Sequence, residues 1–220
     1  VTKELSVHVL PLLERGIHFA EVWARAGAEA ELQPLFAEEE PLVQRAVTKR
    51  QREFRAGRQA ARQALALSGG PNVALLRGER GEPRFPAGYR GSITHTGRAE
   101  TYAAAIATEA PWLLGIDAEL QEELSPELAA RVASPLELEQ ASHVSPHPGL
   151  LLFAAKEAVY KCVSERCQRI LGFEEVRLVR AEGSFLELEV LALSATLVPV
   201  RWLREHGVML CVAALPEARA

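Results

Sequence analysis

The sequence predicts an α+β protein of two similar halves, each a long helix set against a small antiparallel sheet. Three observations lead there. Two long stretches, residues 42–67 and 151–170, keep apolar side chains at helical spacing with few breakers. Short strand-like runs separated by turn residues follow each of them. Pro111 then stands between the two sets, which puts the boundary near residue 110 and gives halves 1–110 and 111–220. No residue-level repeat relates the halves.

The elements follow in order. Val7, Val9 and Leu10, and then Phe19, Val22 and Trp23, form short apolar clusters that read as one or two leading strands. Glu38, Glu39, Glu40 and Pro41 have the chemistry of a helix start, since acids and a first-turn proline suit the positive end of the helix dipole. From there to Leu67 only Gly57 interrupts, and Val43, Ala46, Val47, Phe54, Ala61 and Leu65 supply the core stripe. Ser68, Gly69, Gly70 and Pro71 stop it. Strands are expected over 73–76, 91–96 and 101–108, with a turn at 78–83. The second half opens on the apolar run 112–116. It continues through a polar, proline-punctuated stretch at 122–149 with short helical pieces and into the strong helix, which Gly172 is expected to close. Strands at 176–179, 185–193, 199–203 and 208–214 end the chain.

Composition sets the bounds. The 220 residues are 48% hydrophobic and 25% charged, with 15 Gly and 13 Pro, which supports a sizeable core and excludes disordered, collagen-like and disulfide-miniprotein classes. A net charge of -4 argues against a surface built for nucleic acid or anionic lipid. Cys162, Cys167 and Cys211 are odd in number and contain no CxxC pair, so a reducing, cytoplasmic setting is expected. No run is long enough to span a bilayer, and the first residues, with Lys3, Glu4 and His8 among apolar ones, do not read as a secretory leader.

Four constellations bear on chemistry. Asp117 and Glu119, in Gly115-Ile116-Asp117-Ala118-Glu119, alternate onto one face of a strand, where two carboxylates repel unless a cation lies between them. A hard divalent ion answers that need, and a solvated strand end is the plain alternative. On the strong helix Glu157 and Lys161 are four apart, as are Lys156 and Tyr160. A surface ion pair is the plain reading there. However, only four lysines occur among 25 Lys plus Arg and two of them fall in this window. On the first helix Lys49, Arg50, Arg52, Arg55, Arg58 and Arg62 make a basic face, either solvated or bound to a polyphosphate whose oxygens match guanidinium forks. Lastly, Arg77, Arg90, Ser92, Thr94 and His95 line a turn and a strand that meet a ligand or form a polar rim. GxSxG and GxxxxGK[ST] patterns are absent, so serine-hydrolase and P-loop chemistry are not supported. Pro146 and Pro148 keep His143 and His147 from sharing a helix face, which argues against zinc there.

Taken together, over roughly residues 45–180, these segments resemble the surfactin and enterobactin type of 4'-phosphopantetheinyl transferase. The most specific parts are GIDAE at 115–119 and FAAKEAVYK at 153–161, supported by RQREFRAGRQAAR at 50–62, GEPRFP at 81–86 and SITHT at 92–96. The resemblance implies two α/β halves related by a pseudo-twofold with coenzyme A in the cleft between them, and a monomer. It implies transfer of the phosphopantetheine arm to a serine of an acyl or peptidyl carrier protein, with release of adenosine 3',5'-bisphosphate. Mg2+ would be held by Asp117, Glu119 and Glu157. Glu157 would be the general base, directly or through water on the ion, with Lys161 beside the pyrophosphate. Arg50, Arg58, Arg77, Ser92, His95 and, less centrally, Lys156 would contact coenzyme A. Two other classes stay open on the residues alone: a noncatalytic coenzyme A-binding module and a metal-dependent phosphodiesterase acting on coenzyme A. Segment 122–149 is expected to bear on carrier choice.

Overall fold

A computed structural model describes residues 13–217. The chain forms two compact units that divide between Trp112 and Leu113. The strand expected at Val7, Val9 and Leu10 lies outside the described residues.

In the first unit, strands β1 (His18–Arg25), β2 (Arg90–Gly97) and β3 (Glu100–Thr108) make a sheet in the order β1-β3-β2. Both pairings are antiparallel, with Val22 opposite Ala103 and His95 opposite the same residue from the other side. Helix α1 (Thr48–Leu67) covers one face. Its Ala56, Ala60, Ala61, Ala64 and Leu65 pack with Ala20, Val22, Ala24, Ala103, Ala105 and Ala107 of the sheet. Small side chains on both surfaces let helix and sheet approach closely. Gly57 extends this, since a β-carbon there would sit 3.1 Å from Ile93.

The helix starts later than the acidic cluster suggests. Glu40–Leu42 form only a short 3-10 turn, and Val47 in extended backbone begins α1. Glu39 cannot lead a helix because its carboxylate is fully buried and bound elsewhere. It accepts from the Phe36 and Leu75 amides and from Arg62, with Arg58 Nε 3.8 Å away. The strand expected over 73–76 is also absent. That segment is irregular apart from a single bridge between Arg77 and Pro83, and the Leu75 amide goes to Glu39.

In the second unit, β4 (Trp112–Leu120), β5 (Val176–Glu182), β6 (Phe185–Val190), β7 (Thr196–Glu205) and β8 (Val208–Pro216) form a sheet in the order β4-β8-β7-β6-β5. The run expected to 193 ends as a strand at Val190 and finishes in a 3-10 turn. Between β4 and β5 lie α2 (Pro126–Val132), α3 (Pro135–Ser142) and the long α4 (Pro148–Cys167). Ser134 and Glu137 form a reciprocal capping box at the start of α3. Leu151, Ala155, Ala158, Val159 and Cys162 of α4 join Leu186, Leu188, Val198, Val200, Met209 and Cys211 in one core. Gln168, in left-handed conformation, ends α4 before Gly172 is reached. Among the described residues no helix is long and apolar enough to cross a membrane.

Candidate active site

The carboxylates of the second unit come together because β4 runs against α4. At Gly115 a β-carbon would lie 1.8 Å from the Ala158 carbonyl oxygen and 2.6 Å from the Cys162 amide nitrogen, so only glycine permits this backbone-to-backbone approach. Two residues further along β4, Asp117 is buried with Lys161 of α4 on it. The Lys161 ammonium donates to Asp117 Oδ1 at 2.7 Å and to the Ile116 carbonyl at 2.9 Å. One α4 turn before Lys161 stands Glu157, and two β4 residues after Asp117 stands Glu119.

The three carboxylates feel one another. Burial and then the Asp117 charge push Glu119 up to about 7, with Lys161 opposing and Glu157 adding to the rise. Burial and Asp117 likewise raise Glu157, against Lys161. Among the described residues no three His, Cys, Asp or Glu side chains converge as a ready metal cage. The chemistry of the donor set nevertheless fits a hard cation, being all carboxylate oxygen on one strand and one helix.

In the first unit the basic face of α1 is solvated only in part, at Lys49, Arg50 and Arg55. Arg52, Arg58 and Arg62 are buried. Arg52 is tied to Thr101, Glu29 and the Arg98 carbonyl, and Arg62 to Glu39 and the Pro34 carbonyl. Arg58 lies 4.3 Å over the Phe54 ring, and Arg77 lies 5.6 Å from the same ring. Burial lowers Arg58 to about 10 against the opposing pull of Glu39, with Arg77, Arg62 and Arg50 adding to the fall. Arg50 remains half-exposed and reaches His95 Nε2 at 2.7 Å. Ser92 and Thr94 are buried on β2.

The family model of the 4'-phosphopantetheinyl transferase N-terminal domain matches residues 38–108, and that of the 4'-phosphopantetheinyl transferase superfamily matches residues 113–211. Enterobactin synthase component D of Salmonella typhimurium is 31% identical over 217 residues, covering 94% of this chain and 89% of that protein. The chain belongs to the 4'-phosphopantetheinyl transferase superfamily. The 4'-phosphopantetheinyl transferase Npt of Nocardia iowensis is 42% identical over 144 residues, 64% of each chain. The transferase PptT of Mycobacterium tuberculosis is 38% identical over 146 residues, 64% of this chain and 63% of its own length. The chain therefore aligns with somewhat under two thirds of these two relatives.

One expected ligand contact of this transferase-family chain needs correction. Lys156 is 1% exposed and its ammonium is committed inside the second unit. It meets Glu137 Oε1 at 2.9 Å and donates to the Val132 and Phe173 carbonyls at 2.8 and 3.1 Å. Burial pushes Lys156 down, with Glu137 holding it up. Burial also pushes the Glu137 carboxyl up, yet amide donation from Leu178 and Ser134 together with Lys156 outweighs it and holds the group below the usual carboxylate range. All three donor sites of the ammonium are thus used within the fold, which leaves it no part at a phosphate. Glu137 and Glu39 were not signalled by sequence, because both are acids in polar stretches whose partners lie far along the chain.

Proposed function

We propose that this protein transfers the 4'-phosphopantetheine arm of coenzyme A to a serine hydroxyl of an apo acyl or peptidyl carrier protein, releasing adenosine 3',5'-bisphosphate. The observation that carries the reading is the meeting of β4 and α4 at Gly115, which puts Lys161 on Asp117 beside two further acids. Asp117, Glu119 and Glu157 are the residues that would hold Mg2+. When bound, the ion neutralises charge on the pyrophosphate.

The chain's own groups do the rest. Lys161 offers an ammonium to the pyrophosphate from a position fixed by Asp117 and the Ile116 carbonyl. Glu157 takes the serine proton as the hydroxyl oxygen attacks the β-phosphorus, and the bond to the leaving bisphosphate breaks. Arg50, Arg58, Arg77, Ser92 and His95 bind the phosphates of coenzyme A, with Arg50 and His95 at the 3'-phosphate. The nucleophile comes from the partner, so no activated serine or cysteine is required here. The protein acts as a monomer, and segment 122–149 bears on carrier choice.

The test is mass spectrometry of an apo-carrier incubated with coenzyme A, Mg2+ and the protein. A phosphopantetheine mass on one serine is expected. Several diverse carriers left unmodified while coenzyme A binds would reduce the protein to a binding module. Bisphosphate released with no carrier present would make it a phosphodiesterase.

A further inference from the structure

The Glu39 carboxylate is fully buried in the first unit, and the mechanism above does not use it. Its Oε1 accepts from the Leu75 amide at 2.8 Å and its Oε2 from the Phe36 amide at 3.0 Å. Arg62, one α1 turn beyond Arg58, donates Nη1 to the same carboxylate at 3.0 Å and Nη2 to the Pro34 carbonyl at 3.2 Å. Arg58 is held differently. Its Nε stops 3.8 Å from Oε1, close enough for charge attraction but too far for a hydrogen bond. That Nε is buried with no hydrogen-bond partner among the described residues, and the guanidinium rests 4.3 Å over the Phe54 ring. Arg77 lies 5.6 Å from the same ring and two residues along the chain from the Leu75 amide that Glu39 holds. Beyond Leu75 the segment is braced as well, since the Arg84 amide donates to the Leu76 carbonyl at 2.9 Å and Arg77 bridges to Pro83.

Crowded guanidinium groups repel one another. Arg77, Arg62 and Arg50 work against the charge of Arg58, and Glu39 works for it. A hydrogen bond from Arg58 to Glu39 would relieve that repulsion, but it would spend a donor that a phosphate needs. Arg62 and two backbone amides occupy the carboxylate instead, so Arg58 keeps the attraction without giving up an N–H. We propose that Glu39 is a positioning residue for the phosphates of coenzyme A, setting Arg58 by charge and Arg77 through the Leu75 amide while taking no hydrogen bond from Arg58. The proposal rests on the reading of Arg58 and Arg77 as phosphate ligands. Glu39 itself meets no substrate, so its loss belongs in KM for coenzyme A and not in kcat at saturation.

Calorimetry and carrier-modification kinetics on the full-length protein test this through double-mutant cycles. Glu39→Gln is expected to bind coenzyme A about tenfold more weakly, the low end of what one charged hydrogen bond supplies. KM should rise to match, with kcat within about twofold of wild type. In an Arg58→Ala or an Arg77→Ala background the same change should cost only about threefold, because one of the groups it sets is gone. In an Arg50→Ala background, where the lost side chain contacts Glu53 and His95 and not Glu39, it should cost the full factor of about ten. Glu39→Asp keeps the charge at shorter reach and should show the same pattern on a smaller loss, so it carries the cycles alone if Glu39→Gln does not fold. Urea midpoints establish that each variant is folded under the assay conditions. A loss that multiplies in full in all three backgrounds, or that falls on kcat, makes Glu39 merely structural and overturns the proposal while the phosphate reading stands. Arg58→Ala and Arg77→Ala proteins that bind coenzyme A as wild type does overturn that reading and the proposal together. A wild type that binds no coenzyme A and modifies no carrier overturns the transferase reading as well.

Discussion

Lys156 and Lys161 are five residues apart on α4, so at about 100° per residue their side chains leave the helix about 140° apart. One enters the packed side of the helix and meets Glu137, and the other reaches the strand that carries Asp117. Their variants should separate cleanly. Lys156→Ala leaves the Glu137 carboxylate buried without its cation and should cost about 3–5 kcal/mol in urea unfolding. Lys161 is 34% exposed, so water can take part of its place beside the buried Asp117, and Lys161→Ala should cost less in urea unfolding than Lys156→Ala. It should lower carrier modification by about a hundredfold. Equal destabilisation by both changes would remove the distinction. The scarcity of lysine marked this window in the sequence, but it could not tell the two apart, because the partner of Lys156 is an acid nineteen positions away whose own neighbours look like any solvated helix start. Asp117 and Glu119 were legible because a strand alternates its side chains.

Helix α4 and strand β4 show what a single missing β-carbon does for an element. Gly115→Ala would press a methyl group against the Ala158 carbonyl and the Cys162 amide, both backbone atoms of a helix that cannot give way locally. The strand must then move away from α4, at a cost of about 1–3 kcal/mol or more, as for other overpacked sites. Because Asp117 rides on that strand, the Lys161 contact should loosen as well, so turnover falls along with the urea midpoint. An alanine variant with wild-type midpoint and turnover would show that the close approach is not needed. Element type was largely readable from periodicity: α1, α4 and most strands fall where the apolar spacing puts them. The errors came where a long-range bond outweighed local chemistry. Glu39 holds Phe36 and Leu75 rather than starting a helix, and the Leu75 amide spent on that carboxylate is one that a strand would have needed. At the end of α4 the chain turns at Gln168, a residue that local rules rank below the glycine four positions later.

Across the whole molecule, charge is divided between the two units more sharply than the net value of -4 suggests. Residues 1–112 hold fifteen basic and thirteen acidic side chains, and residues 113–220 hold ten and sixteen, so the first part carries +2 and the second -6. The proposed phosphate ligands Arg50, Arg58, Arg77 and His95 all belong to the first part, and the proposed metal ligands to the second. A polyphosphate therefore meets two opposed influences, repulsion from the net charge and attraction from the arginines beside it. At an ionic strength of about 0.1 M the Debye length is about 10 Å, so distant charges are already screened and the near arginines should govern. Raising the salt to about 1 M, where the length falls to about 3 Å, should then weaken the exposed part of that attraction. Coenzyme A affinity is expected to fall several-fold over this range at constant Mg2+, and dephospho-coenzyme A affinity by less, since it lacks the group assigned to half-exposed Arg50. Were the net charge in control, salt would relieve repulsion and binding would tighten. The sign of the salt dependence, measured by calorimetry on both ligands, thus decides between the arginine cluster and the overall charge as the source of attraction, and a flat or tightening response would displace the phosphates from α1.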